Sequence, residues 1–466
     1  MNKRVGIGLG IVSVFVVGLL SCRPAPVTGQ STAPVAEQPA APLAEQPAAP
    51  ANSFAAVPGV KGGQEILGGY EVVEGWPKPL TALPGHEDWG WSAVQSIFAE
   101  NPDRVFFTQR GELPAMERPQ ATLVPQSGAG LSFPVGQYPF RNASQGPAMA
   151  LPGAFGGGGY PGRFDRDPNF ILAPDQVAHE RWEGTVGVDA RWEHCIIVVD
   201  AEGNIRPETT EVWQQWDHLF GYPHNIIINP YDPEKHVWVV EAARHAIYKF
   251  TNDGTQLVQT IGTPNVPGHD ATHFNRPTFI GWLPDSTMFV ADGYVNTRVA
   301  KFDSDGNFLM EWGQKGVAPN DTRPGYFNTV HGLAVDPDTR RVYVNDRSNL
   351  RIQVFDENGQ FLDQWSTGPD GSQIYTLYFS EGKLWAADSH TRRIIGWNQD
   401  GYLQYAFGGQ GEWSGATDGI HGISVDQEGN LYLADLFHGR AMKYRPRQGA
   451  NPDYLVGKPR YAAWQE

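Results

Sequence analysis

Five segments of this chain repeat one pattern, and that recurrence limits the possible folds more than any other feature. They read IIVVDAEGNIRP, IYKFTNDGTQLVQTIG, VAKFDSDGNFLMEWG, IQVFDENGQFLDQWS and IIGWNQDGYLQYAFG. Each joins a strand rich in apolar and aromatic residues to an outer strand through a glycine turn, and in most of them a strand ending in Asp or Glu comes before. The turn glycines are Gly203, Gly254, Gly306, Gly359 and Gly401, spaced by 51, 52, 53 and 42 residues. Such turns need positive φ, which glycine adopts without strain, so they mark hairpins between strands. Four strands every 40–50 residues is the period of a propeller blade. A sixth unit, HGISVDQEGNLYLAD followed by AMKYR, has three strands and then stops. The segment Tyr70–Val73 can supply its fourth strand and close the ring. The expected fold is an all-β, six-bladed β-propeller over residues 69–446, followed by a tail at 447–466.

One blade is interrupted. Its inner strands lie near Ser92–Ile97 and Arg104–Gln109, but the next strand starts only near Ile196. Between them runs a Gly/Pro-rich insertion, about residues 112–192, with four consecutive glycines at 156–159. A loop this long is functional or disordered, and one mouth of the ring is a natural place for it.

The N-terminus carries an address. Lys3 and Arg4 precede an apolar run from Val5 to Leu20, too short to cross a bilayer comfortably, and then Leu19-Leu20-Ser21-Cys22. The last four residues resemble a bacterial lipobox. They imply a lipoprotein signal over 1–22, lipidation of Cys22, and a cell-envelope protein that meets the membrane only through its anchor. A plain signal peptide is the alternative. Residues 23–58 repeat Pro, Ala, Glu and Gln, including AEQPAAP twice, and read as a tether that cannot bury a core. Lys+Arg 35 against Asp+Glu 51 gives a net charge of −16, which argues against a nucleic-acid partner. The two cysteines, Cys22 and Cys195, exclude a thiolate zinc site and a disulfide framework.

Three histidines stand out by position. His224, His331 and His421 each open the inner strand of a blade, in the second, fourth and sixth blades. The matching positions in the third and fifth fall at about Thr278 and Tyr375. Alternate blades of a six-fold ring are about 120° apart, so three imidazoles would converge on the axis and leave an open position, as catalytic zinc requires. The plainer alternative is that His-Gly at a strand start is only this repeat's signature. His245, His390 and His438 sit elsewhere in their repeats, at the surface or behind the ligands.

The segments Val330-His331-Gly332-Leu333 and Ile420-His421-Gly422-Ile423 resemble the NHL family of propeller repeats. A more specific set comprises Pro223-His224, Asp292-Gly293-Tyr294 with Arg298, Val330-His331, Asp346-Arg347 with Arg351, and Phe106-Phe107-Thr108-Gln109-Arg110. Together these resemble the peptidyl-α-hydroxyglycine α-amidating lyases, over about Trp91 to Arg445 with the insertion unmatched. The resemblance implies one zinc on His224, His331 and His421. It implies Tyr294 as general base, made acidic by the metal and a nearby arginine. Arg110 and Arg347 are then candidates to grip the carboxylate of an α-hydroxyglycine, in a small molecule or a peptide. Arg298 and Arg351, deeper in the repeats, read as salt-bridging surface residues.

Departures from the family matter too. Gly422 stands where the family has an acidic calcium ligand, so calcium is in doubt. Val295 replaces a cysteine beside the tyrosine, and no copper monooxygenase partner domain is visible. The reaction implied is collapse of a peptidyl- or N-acyl-α-hydroxyglycine to an amide and glyoxylate. The alternative is a non-catalytic NHL propeller that binds a protein or glycan at the cell surface. A calcium-centred lactonase or esterase is weaker, because such sites want Asp, Asn and Glu on the axis rather than histidine.

Overall fold

A computed structural model describes residues 67–115, 122–123, 131–132, 191–367, 372–410 and 414–460. The expected signal, the tether, Cys22 and most of the insertion lie outside these residues. Six sheets follow one another along the chain. Blade I comprises Val94–Asn101, Arg104–Gln109 and Ile196–Val199. Blade II runs through Pro223–Ile228, Val237–Glu241, Ala246–Phe250 and Leu257–Ile261. Blade III has Pro277–Trp282, Met288–Asp292, Arg298–Phe302 and Phe308–Trp312. Blade IV has Val330–Val335, Val342–Asp346, Arg351–Phe355 and Phe361–Ser366. Blade V has Ile374–Ser380, Lys383–Asp388, Arg393–Asn398 and Leu403–Phe407. Blade VI has Ile420–Val425, Leu431–Asp435 and Arg440–Pro446, with Tyr70–Val72 as its outer strand.

Blade I departs from the expected grammar. Its fourth strand shrinks to one bridge, Val199 to Ile205, before the chain turns into a short helix at Glu208–Glu211. Its inner strand also begins two residues later than expected and extends to Asn101, because bulges near both ends shift the register.

The core lies between blades rather than within them. Phe98, Phe106 and Val198 of blade I pack with Ile226, Val237 and Tyr248 of blade II. Equivalent clusters join II to III, III to IV, IV to V and V to VI. The last cluster, Ile97, Phe107 and Ile197 with Tyr432 and Ala434, joins I to VI. Both faces of the inner strands are therefore apolar, which is why they read as nearly continuous hydrophobic runs. The turn glycines serve these interfaces as well as their own φ. At Gly359 (φ 75°) a Cβ would lie 2.8 Å from the Trp312 indole of the preceding blade.

Tyr70 seals the ring. It pairs with Pro446, is fully buried, and its hydroxyl accepts a hydrogen bond from Val456 N–H at 2.8 Å. Removing a buried aromatic of this kind costs about 3–5 kcal/mol. Tyr70→Ala should therefore lower the unfolding free energy of the propeller, read from denaturant titration, by that much, and deletion through Val73 should lower its stability further. A deletion variant that melts like the parent would refute closure by this strand.

Candidate metal centre

Each blade brings one residue of its inner strand to the axis: Gln95, His224, Thr278, His331, Tyr375 and His421. The three imidazoles are buried, and their ring centroids lie 4.9 Å (224 to 331), 4.7 Å (224 to 421) and 5.0 Å (331 to 421) apart. Each donates its Nδ1–H to the backbone of the blade that follows it. His224 bonds to Thr278 O at 2.8 Å, His331 to Tyr375 O at 2.6 Å and His421 to Gln95 O at 2.8 Å. A carbonyl can only accept, so Nδ1 holds the proton and Nε2 keeps the lone pair. Burial, helped by the neighbouring imidazoles and by Arg347 or Arg110, holds all three well below the ordinary histidine pKa. They are neutral at neutral pH. One nitrogen from each comes within 4.8 Å of the others, so the group could hold a metal ion.

The other expected residues converge on the same point. The Tyr294 hydroxyl lies 2.9 Å from His224 Nε2, 2.9 Å from His331 Nε2 and 3.1 Å from the Tyr222 hydroxyl. The Gln95 amide nitrogen is 2.7 Å from His421 Nε2. The Arg110 guanidinium bonds to Gln95 Oε1 and stacks over the Tyr222 ring at 3.8 Å. Arg347 lies 5.4 Å from the Tyr294 ring and 5.1 Å from that of Tyr375. The Phe279 ring sits 5.1–5.7 Å from the three imidazoles and excludes water beside them. Burial pushes the Tyr294 phenol well above its usual pKa, assisted by Tyr222, while Arg347 and Arg110 pull it down. The protein's own residues thus leave it a neutral phenol, and further positive charge is needed to make it a base.

Strand ends aim these groups. Arg110 and Arg347 directly follow second strands, and Tyr294 comes two residues after one. In blades II, III and IV the acid closing the second strand pins the loop that leads into the inner strand of the same blade. Glu241 accepts Gly221 N–H at 3.0 Å and Tyr222 N–H at 2.7 Å, and burial raises its pKa to about 7. Asp292 accepts Asn275 N–H at 2.9 Å, and Asp346 accepts Asn328 N–H at 2.6 Å. Arg298 and Arg351 pair with these same acids, at 2.8 Å to Asp292 and 2.7 Å to Asp346. They do make ion pairs, but buried ones: the expected surface placement is corrected. Their strands are covered on both faces by adjacent blades. His245 and His438 are buried away from the axis and His390 is exposed.

Gln95, Tyr222, Glu241 and Phe279 were not singled out from the sequence. Tyr222 stands two residues before His224, and alignment of blade I with its neighbours would have put Gln95 on the axis. The insertion hid that alignment. A second mixed cluster, His86, Glu112, Glu193 and His194, lies where the insertion leaves and rejoins blade I. There Glu112 bonds His86 at 2.9 Å and His194 at 2.7 Å, and Arg191 pairs with the same carboxylate. Its positive charge is already supplied, so this is a clamp for the loop ends. At Gly422 a Cβ would lie 3.0 Å from Ile97 N, so blade I leaves little room for an acidic side chain at that position.

Parts of the chain are similar to known proteins. A model of the NHL repeat matches residues 327–355. The peptidyl-glycine alpha-amidating monooxygenase A of Xenopus laevis is 28% identical over 278 residues, 56% of this chain and 28% of the frog protein. The peptidyl-alpha-hydroxyglycine alpha-amidating lyase 1 of Drosophila melanogaster is 27% identical over 270 residues, 53% of this chain and 49% of the fly protein. A probable lyase of the same name from Caenorhabditis elegans is 28% identical over 235 residues, 49% of this chain and 65% of that protein. The match spans less than two thirds of each of these relatives. The chain is a six-bladed propeller with an NHL-repeat match in blade IV, and it resembles the amidating lyases.

The depressed histidine pKa values fix a pH dependence. An imidazole of ordinary pKa, about 6.5, would lose roughly fourfold in metal affinity at pH 6.0 through proton competition. Here protons compete only at lower pH, because the folded-state pKa values are lowered. Zinc titrations at pH 7.5 and 6.0 should give nearly the same affinity, and a loss of roughly 4³-fold would contradict the burial. His331→Ala should lose bound metal while still melting cooperatively, since blade packing holds the ring. Full metal occupancy in that variant would exclude the three-histidine site.

Proposed function

We propose that this chain is a zinc-dependent lyase that cleaves a peptidyl- or N-acyl-α-hydroxyglycine to an amide and glyoxylate. One observation carries the reading: a tyrosine hydroxyl stands 2.9 Å from two of three converging, neutral imidazoles, flanked by two guanidinium groups. A scaffold needs no such constellation, and the similar fly and worm proteins are named as alpha-hydroxyglycine alpha-amidating lyases. The donor set suits zinc, because three neutral nitrogen ligands with room for a fourth are a catalytic zinc arrangement. Bound by His224, His331 and His421, zinc would supply Lewis-acid stabilisation of charge developing on a substrate oxygen, and positive charge beside Tyr294.

The remaining work falls to the chain. Arg110 and Arg347 hold the carboxylate of the α-hydroxyglycine, each able to donate two parallel hydrogen bonds. Tyr294, as phenolate, takes the proton of the α-hydroxyl. The C–N bond then breaks as the C=O bond of glyoxylate forms, and the proton on Tyr294 passes to the departing amide nitrogen. Atoms and charge balance without any further reactant. Phe279 and the stacked rings of Tyr222 and Tyr294 exclude bulk water from this transfer.

The proposal includes the expected location. Cys22 would carry lipid at the cell envelope and residues 23–58 would tether the propeller, so the substrate would be met outside the cytoplasm. Its partner is this small-molecule or peptide substrate, and calcium has no part in the reaction.

Glyoxylate release from an N-acyl-α-hydroxyglycine tests the reaction. Tyr294→Phe keeps ring and packing but removes the proton acceptor, so turnover should drop by roughly 10²–10⁴ with zinc content unchanged. Parent protein that releases glyoxylate no faster than the uncatalysed reaction would dismiss the assignment. A variant as active as the parent would leave the enzyme class and remove Tyr294 as base.

A further inference from the structure

A third guanidinium lies beside this centre, and neither the sequence pattern nor the mechanism uses it. Arg276 occupies the loop before the inner strand of blade III, two residues ahead of the axial Thr278. Tyr222 stands likewise two residues ahead of the axial His224, so the two occupy the same level of adjacent blades. The backbone binds Arg276 into the site: its carbonyl accepts Tyr294 N–H at 3.3 Å, and its own N–H donates to His245 Nδ1 at 3.1 Å. The residue is 7% exposed, and its Nη2 is buried without a hydrogen-bond partner. Among the described residues no carboxylate pairs with it.

The groups that face Arg276 cannot neutralise it. His245 is pushed down to about 4 by burial and by Arg276 itself, so it is uncharged at neutral pH. The nearby side chains of Tyr222 and Tyr294 interact with the guanidinium, and neither brings a carboxylate to it. The backbone there is also strained, with φ of 63° at a long side chain. Strain of this kind persists where the surrounding structure enforces it, commonly at binding sites. A desolvated cation with an unused donor is expensive to keep unless something anionic arrives to meet it.

We propose that Arg276 forms a second anion subsite, which selects α-hydroxyglycines whose acyl group itself carries a carboxylate. The inference rests on the lyase reading for the identity of the substrate, but not for the existence of the subsite. Arg110 and Arg347 stack on the aromatic rings around the axis and are assigned to the glycine carboxylate. Arg276 neighbours Tyr222 and Tyr294, and the acyl carboxylate of the substrate is assigned to it. An acidic peptide or a dicarboxylic acyl group supplies the complementary charge.

The test compares two ligands that lack the α-hydroxyl and cannot react, N-succinylglycine and N-butanoylglycine. They share the glycine carboxylate and differ in the acyl carboxylate. Calorimetric titration of zinc-loaded full-length protein should show N-succinylglycine binding roughly 10- to 100-fold tighter, as expected for a charge-assisted pair. In Arg276→Gln that preference should collapse to near unity with N-butanoylglycine affinity unchanged, and Arg276→Lys should keep part of it. Equal binding of the two ligands by the parent protein overturns the proposal. So does an equal loss for both ligands in Arg276→Gln. If that variant fails to fold, the parent ratio and Arg276→Lys decide. Glyoxylate release from the corresponding α-hydroxy compounds separates the two inferences. Selective binding without turnover would retain the subsite and reject the lyase, whereas turnover without selectivity would do the reverse.

Discussion

Three hydrogen bonds, from imidazole Nδ1–H to the backbone of the next blade, tie the ring's geometry to its chemistry. Each fixes a tautomer and an orientation at once, so a ligand on one blade depends on the position of its neighbour. The bond from His421 crosses the join between the last blade and the first, to Gln95. Blade VI is itself completed by Tyr70, whose strand belongs to the N-terminal end of the propeller. Closure of the ring and orientation of the third ligand therefore both depend on blade VI. Histidine on alternate blades follows naturally: the blade between two ligands contributes the carbonyl that orients one of them.

Charge at the centre runs against charge overall. The chain carries −16, yet Arg110, Arg276 and Arg347 gather near the axis. The acids nearest them are already engaged. Glu241, Asp292 and Asp346 close second strands and accept the N–H groups of the loops that present the site. A carboxylate used this way supports the loop without quenching a guanidinium on the axis. The centre is left cationic, which suits an anionic substrate and favours the phenolate of Tyr294 when a metal adds its own charge.

Much of this was legible in the sequence, for a physical reason. Turn glycines recur because a positive φ and an indole packed against the turn both exclude side chains, and their period gives the blades. His224, His331 and His421 share one place in that period, so their convergence follows from symmetry. Arg110, Tyr294 and Arg347 follow second strands, and their loops face the same mouth. Other features depend on contacts between blades, which no single repeat encodes. Gln95 was hidden by the interruption of blade I, Tyr222 by its ordinary place before a proline, and Arg276 by its position in a connecting loop. The burial of Arg298 and Arg351 was misjudged because a charged residue in a strand reads as exposed unless both faces of its sheet are covered.

Gly293 shows how closely base and ligand are coupled. A Cβ there would lie 1.9 Å from the carbonyl oxygen of Val330, the residue immediately before His331. Blades III and IV touch at this point mainly through the backbone of Val330, which cannot swing aside as a long side chain could. The approach lets the Tyr294 hydroxyl come within 2.9 Å of His331 Nε2. The contact between the two blades thus fixes the backbone separation across which the proposed base and a proposed metal ligand meet. A propeller can hold such a distance because each blade is fixed by neighbours on both sides, and because ring closure leaves no terminal blade free to swing away. The rigidity that the fold needs to close is the same rigidity that proton transfer over one hydrogen-bond length requires.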